Sequence, residues 1–297
     1  MHDQATLPDR ASLPDRASLS LHGRPVASYV WRPRLPTTVS PRPYLHPVRT
    51  LAGTEVTALM PDDHQHHLGV SVAIADVGGA NFWGGRTFTP THGSVHVANH
   101  GTQHHREWTS RTAATLTHDL GWTGPDGTDL LQERRHIAAL PVNDQAWALD
   151  FTYELTNVTA APLTFASPAT NGRPGAGYGG FFWRACRSER RVHVLGPDRT
   201  GEKHLHGRRT PWLALTGIST APWTLIFVFG GPRTRADPWF VRSRDYAGVG
   251  SSLAWDQPLI VASGARVRRR IITMVVDGRL RSDQIAGTVA MIPADAG

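Results

Sequence analysis

Cysteine is nearly absent from the 297-residue chain: Cys186 stands alone. A single thiol excludes an intrachain disulfide and a thiolate metal cluster, so any bound metal has to be held by His, Asp and Glu. Cys186 lies in FFWRACRSE, an aromatic strand pattern, and reads as a buried, inert thiol rather than a nucleophile. Long apolar runs are missing too. No stretch of eighteen or more apolar residues occurs, which excludes a transmembrane helix. The first residues, MHDQATLPDRASLPDRAS, have neither the basic start nor the apolar segment of a secretory signal, so a cytoplasmic location is expected. G-x-S-x-G, P-loop and H-E-x-x-H motifs are absent, as is a G-x-G-x-x-G between a strand and a helix, so no nucleotide cofactor is expected. GAGYGG (175–180) has the glycines without that context and reads as a flexible loop before a strand.

Acidic residues are the minority, 24 against 31 basic ones, for a net charge of +7 and a pI near 10.4. The excess is almost all Arg, scattered in short groups such as RVRRR (266–270), with no helix-turn-helix, zinc-finger or RNA-binding signature beside it. No nucleic-acid partner is expected; anionic substrates stay open.

Helical periodicity over ten or more residues is lacking, whereas 29 Gly and 22 Pro fit many turns. LPDRAS occurs twice in succession over 7–18, and 1–17 reads as a disordered leader. SLSLHGRPVASYVW, from Ser18, alternates as a half-buried strand does, and a Pro-rich link (33–47) follows. Strand-like segments then recur at 54–59, 68–74, 94–98, 106–117, 145–156, 162–166, 178–186, 191–195, 211–217, 223–229 and 266–276. The pattern predicts an all-β fold: a large antiparallel β-sandwich of supersandwich type with few helices, in one domain over 18–297. In QAWALDFTYEL, Trp147, Leu149, Phe151, Tyr153 and Leu155 share one face, a core of large apolar groups. Arg266, Arg268 and Arg270 alternate into a ladder expected on a solvated outer face.

Histidine is where the sequence departs most from the ordinary. Eight of sixteen fall between 64 and 105: His64, His66, His67, His92, His96, His100, His104 and His105. In PDDHQHHLG (61–69) an extended chain would point His64 and His66 to one side and His67 to the other. His64 and His66 could then chelate one metal, with further ligands from His46, His96, His100, His105 or Glu133. Such a donor set suits zinc, manganese, iron or nickel. The alternatives are loop histidines bonded to Asp62 and Asp63, or a metal-free site in which His moves a proton near neutral pH. Glu133, in LLQERRHIA, reads equally as a salt-bridged structural group or a poised base. Trp beside Gly, Asn or Arg in NFWGG (81–85), GYGGFFWRA (177–185) and DPWFVRSRDY (237–246) marks pocket candidates, chiefly Trp83, Trp183 and Arg184.

Together, RPYLHPVRTLAGTEVT (42–57), the stretch from PDDHQHHLG to NFWGG (61–85), LLQERR (130–135) and GGFFWRA (179–185) resemble a bacterial family of unknown function labelled methane-oxygenase-like, or PmoA-like. The likeness runs from about Ser18 to about Gly278, with Leu68 standing where that family commonly has Arg. The family's association with sugar-catabolic oxidoreductases, and the likeness of the β-pattern to aldose epimerases, imply a carbohydrate or other polyhydroxylated small-molecule ligand. The resemblance implies an isomerase, epimerase or lyase with His66 and His67 as acid and base and Glu133 orienting one of them. Arg184 or Arg135 would steady developing oxyanion charge, and His46, Trp83, His105 and Trp183 would contact substrate. The other readings are a metal-assisted version on His64 and His66, a carbohydrate-binding module without turnover, and a metal-dependent oxygenase or tailoring enzyme of small-molecule biosynthesis.

Overall fold

Alternation of large apolar with small or polar side chains builds two antiparallel sheets in this computed structural model, which describes residues 15–291. The first has seven strands in the spatial order Asp15–Leu21, Arg24–Arg32, Tyr44–Val48, Val70–Ile74, Gly179–Arg184, Gly248–Ser251 and Trp239–Arg242. The second has eight: His193–Leu195, Trp212–Ile218, Pro222–Phe229, Arg266–Asp277, Ala146–Asn157, Asp129–Asn143, Thr115–Thr123 and Thr102–Arg111. Among the described residues the α-helices are three short ones, Glu202–Leu205, Pro232–Arg235 and Ser282–Val289, and no helix is long and apolar enough to cross a membrane.

The core lies where the sheets face each other. Trp147, Leu149, Phe151, Tyr153 and Leu155 are fully buried there, as their shared face requires. Phe151 meets Phe181 of the first sheet at 5.4 Å between ring centroids, and Trp183 meets Phe227 at 5.7 Å. The opposite face of Ala146–Asn157 is covered at one end by helix Ser282–Val289, whose Ile285 packs with Ala146, Ala148 and Met274. In the arginine ladder, Arg268 is exposed, but Arg270 holds Asp150 at 2.8 Å and Arg266 holds Glu154 at 3.3 Å.

Several expectations about elements are corrected. Of the leader expected over 1–17, residues 1–14 lie outside the described residues. Asp15, Arg16 and Ala17 are already strand, because Ala17 begins the inward series continued by Leu19 and Leu21. The strand expected over 106–117 is two strands, broken where Thr112 N–H bonds Thr115 O at 2.8 Å. Residues 54–59 form only isolated bridges, at Glu55 and Leu59. The fifteen-residue strand Asp129–Asn143 is absent from the predicted set, because two charged residues stand on its inner face.

Those residues are Glu133 and Arg135, both fully buried. Two positions apart on a strand, they point the same way. Arg135 Nε and Nη2 donate to the Glu133 carboxylate at 2.6 and 2.8 Å. The remaining guanidinium protons reach Tyr29 Oη (3.2 Å), Pro43 O (3.2 Å) and Gln103 Oε1 (3.1 Å), while Trp122 Nε1 donates to Glu133 at 2.9 Å. Burial is the largest single effect and works against the guanidinium charge, but Glu133 and Tyr29 together outweigh it and hold the Arg135 pKa above its ordinary value. Each charge is thus paired and bonded, the condition under which an ion pair survives inside a core. Replacing one partner strands the other: Glu133→Ala is expected to lower stability by about 3–5 kcal/mol, read as the shift in a denaturant midpoint at unchanged slope.

Candidate functional site

The histidine stretch is two turns, not a strand. His64 N–H bonds Pro61 O at 2.8 Å and His67 N–H bonds His64 O at 2.9 Å, so the chain reverses twice between Pro61 and His67. Strand alternation therefore does not govern which way the rings point. His64 stacks on His67 with centroids 4.6 Å apart, and His66 meets His67 edge-on at 4.7 Å. The cluster sits on the outer face of the first sheet, where Ala73, Ala75, Phe182 and Phe240 form a small apolar floor away from the inter-sheet core. His67 packs on Phe182 and Tyr246, each at 5.0 Å. In front of it opens a cleft of about 830 Å³, with Trp83, Tyr178, Phe240 and Tyr246 in its walls and Arg86, His96, Arg173 and Arg242 around them.

Arg42, which the sequence does not single out, fixes this arrangement. It is 1% exposed and has no carboxylate partner within reach among the described residues. Its guanidinium instead donates to Ser71 Oγ (3.1 Å), Val39 O (3.0 Å), Ser40 O (3.0 Å), Trp83 O (3.1 Å) and His66 O (2.7 Å). Burial, then the charge of Arg135, lowers its pKa to about 9, still well above neutrality. Asn81 supports the opposite wall: its Oδ1 accepts from Trp83 N and Gly84 N, both at 2.8 Å. Gly85 follows because nothing larger fits. A Cβ there would stand 2.8 Å from His66 Nδ1, on a backbone with φ +70°.

The electrostatics separate the three imidazoles. His64 Nδ1 lies 2.9 Å from Asp63 Oδ2, and bonding to His64 pulls the Asp63 carboxyl below its usual range. His67, 2% exposed, accepts at Nδ1 from Arg184 Nη1 at 3.2 Å. Burial, then His66 and Arg184, drive its pKa far down. His66 is lowered to about 3, by burial first and Arg42 next. His66 and His67 are therefore neutral at pH 7, and neither is a resting proton donor of the imidazolium kind. Arg184 itself sits with its guanidinium 4.3 Å over the Tyr246 ring.

Of the residues expected to form a site, the structure brings together His64, His66, His67, Trp83 and Arg184. Glu133 and Arg135 lie in the core between the sheets, so the orienting and oxyanion roles expected for them have no geometric basis at the histidines. Trp183 is also in the core, its Nε1 bonded to Val56 O at 3.1 Å, because strand alternation puts it opposite Arg184. His46 bonds Thr57 Oγ1 at 3.0 Å and lies 3.6 Å from Glu55. His105 pairs with His118 at 2.9 Å beside Trp31 and Trp108, on the second sheet's edge strand. Tyr178, Arg242 and Tyr246 complete the cleft; the aromatic and Arg stretches that contain them were the available signal.

Among the described residues no three or more His, Cys, Asp or Glu side chains form a group that could hold a metal ion. His64 Nδ1 faces Asp63, His67 Nδ1 is taken by Arg184, and His100 Nε2 is bonded to Gly85 O at 2.7 Å. Of the other donors expected beside His64 and His66, His96 lines the same cleft and His100 lies near His66, whereas His46, His105 and Glu133 are held elsewhere, and the guanidinium of Arg184 would repel a cation at His67.

Fold and site thus describe an antiparallel β-sandwich with a histidine- and arginine-lined cleft on its outer face. The chain belongs to the Family of unknown function (DUF6807), whose model matches residues 16–290. That description carries neither an activity nor the methane-oxygenase-like label. A search of the curated proteins finds no match. Among solved structures, the α-galactosidase from Lactobacillus brevis is similar at 12% identity and a TM-score of 0.40, over 91% of this chain and 40% of that one. A heparan sulfate lyase HepC mutant from Pedobacter heparinus is similar at 8% identity and a TM-score of 0.35, over 86% of this chain and 34% of that one. This chain therefore spans well under half the length of either, and their activities are not transferred to it.

Two measurements test the site's construction. Arg42→Met removes all five donors and leaves buried carbonyls bare, at about 1–3 kcal/mol for each one that water cannot reach; the expected result is a large drop in unfolding free energy together with broadened His66 and Trp83 resonances. The acid limb of stability follows from the sign of the histidine shifts. His66, at about 3, and His46, at about 4, are depressed in the folded state relative to about 6.5 unfolded. Their contribution is complete above about pH 6.5 and is lost as pH falls towards about 3–4, with a slope of up to about 1.4 kcal/mol per pH unit for each group. His66→Asn is expected to flatten that limb by one proton in urea titrations repeated between pH 7 and 4.

Proposed function

We propose that the cleft binds a polyhydroxylated, sugar-like molecule and moves a proton on it. The observation that carries this reading is the opposite charge that faces Nδ1 of two stacked imidazoles. His64 Nδ1 lies 2.9 Å from the Asp63 carboxylate without the alignment of a hydrogen bond, and that negative charge favours the tautomer with its proton on Nδ1 and Nε2 as an acceptor. His67 Nδ1 accepts from Arg184, which assigns its proton to Nε2. An acceptor and a donor thus lie side by side on rings 4.6 Å apart.

This supports removal of a carbon-bound proton next to a carbonyl, the step shared by isomerases, epimerases and lyases. His64 Nε2 takes the proton, and Asp63 stabilises the imidazolium that forms. His67, held neutral by burial and by Arg184, donates Nε2–H to the oxygen on which charge develops. The role expected for Glu133 falls to Asp63, and His66 becomes the residue through which Arg42 sets the turn. Trp83 and Tyr178, 4.4 Å apart, offer an apolar wall for the C–H face of a sugar ring.

That wall also supports a second reading, a carbohydrate-binding module without turnover. Incubation with aldoses, ketoses and sugar acids in deuterated water, followed by proton NMR, separates the two. Proton transfer predicts loss of one carbon-bound signal, slowed about 100-fold or more in His64→Gln. Ligand binding with no exchange supports the module, and neither binding nor exchange across the panel overturns both.

A further inference from the structure

A second cleft, of about 1010 Å³, adjoins the first and shares Asp62, Asp63, Asp245 and Tyr246 with it as a dividing ridge. Its lining includes five arginines: Arg184, Arg187, Arg190, Arg191 and Arg244. Its acids are Glu189 and the three ridge aspartates, of which Asp63 lies 2.9 Å from His64 Nδ1 and 4.0 Å from Arg184 Nη2. The guanidinium groups of Arg187, Arg190, Arg191 and Arg244 are exposed and form no hydrogen bond or ion pair among the described residues. Arg184 differs. It is 7% exposed, and its Nε has no hydrogen-bond partner among the described residues, although such a buried donor is costly to leave unpaired.

We infer that this second cleft is an anion-binding subsite, taking a carboxylate, sulfate or phosphate group of the ligand whose hydroxylated part occupies the histidine cleft. A planar guanidinium binds such oxyanions by paired N–H donation, and several unengaged ones around a single opening leave their donors free for that use. Arg184 belongs to both sites: it lines the arginine cleft and donates to His67 of the histidine cleft. Charge placed beside Arg184 therefore reaches the His67 ring through one hydrogen bond. This ties the reacting end of the ligand to its anionic end and excludes short neutral sugars as preferred substrates. The inference rests on the proposed function for the identity of the ligand, but not for the anion site itself.

Inorganic phosphate, glucuronate and glucose, titrated calorimetrically into the full chain at low salt, test it. Phosphate and glucuronate are expected to bind more tightly than chloride, and Arg187→Ala with Arg244→Ala, both on the surface, to weaken each by about tenfold or more without affecting glucose. Phosphate is also expected to shift the His67 ring resonances, a response reduced in Arg184→Lys. Phosphate binding equal in the double variant, or no tighter than chloride, overturns the subsite; binding that leaves His67 unmoved overturns its link to the histidines. Anion binding without carbon-proton exchange on any sugar removes the proton-transfer reading and leaves the subsite standing. Exchange on neutral sugars with no anion response does the reverse.

Discussion

A single buried guanidinium holds the candidate site in shape. Arg42 bonds to the first sheet at Ser71, to the segment just before it at Val39 and Ser40, to the aromatic wall at Trp83 and to the histidine turn at His66. These parts come from four separate places in the chain, and the groups that meet the guanidinium are neutral. A carboxylate in their place would have satisfied the charge through one partner and left the loops unconnected. Carbonyl dipoles spread the same neutralisation over several segments, so the charge that is costly to bury becomes the reason that those segments converge.

The histidine site follows from that scaffold. Turns too short to cross the cleft bring His64, His66 and His67 together, and the surroundings then differentiate chemically identical side chains. Asp63 faces the ring at the mouth, Arg184 faces the one on the floor, and Gly85 leaves room for the third. Burial, reinforced by positive charge from Arg42 and Arg184, keeps the inner rings neutral, which makes them directional donors and acceptors rather than mobile charges. Contiguity with an arginine-lined cleft extends this logic, since Arg184, which donates to His67, also lines the second opening.

The fold was largely legible because period-two alternation survives wherever a strand divides core from exterior. Trp147 to Leu155 is the clearest case. Alternation fails where a strand buries charge, and Glu133 and Arg135 hid the strand Asp129–Asn143 for that reason. Of the candidate site, the density of histidine and the Trp-Gly and Arg-containing stretches pointed to one region, where His64, His66, His67, Trp83 and Arg184 meet. Which residues would join them was not legible. Trp183 and Arg184 are neighbours in sequence and opposites in space, and Glu133 has the chemistry of a base but lies within the sandwich. Arg42 gave no signal, because its partners are main-chain carbonyls, which every sequence possesses.

The Glu133–Arg135 pair has a mechanical consequence. Arg135 reaches Tyr29 of the first sheet and Pro43, which leads into that sheet's strand Tyr44–Val48, while its own strand belongs to the second, and Tyr29 Oη continues the chain of bonds to His118 at 2.8 Å. Sliding one sheet over the other would drag a charge out of its fitted set of acceptors, a motion that apolar side chains alone would resist far less. The sandwich is thereby clamped against shear.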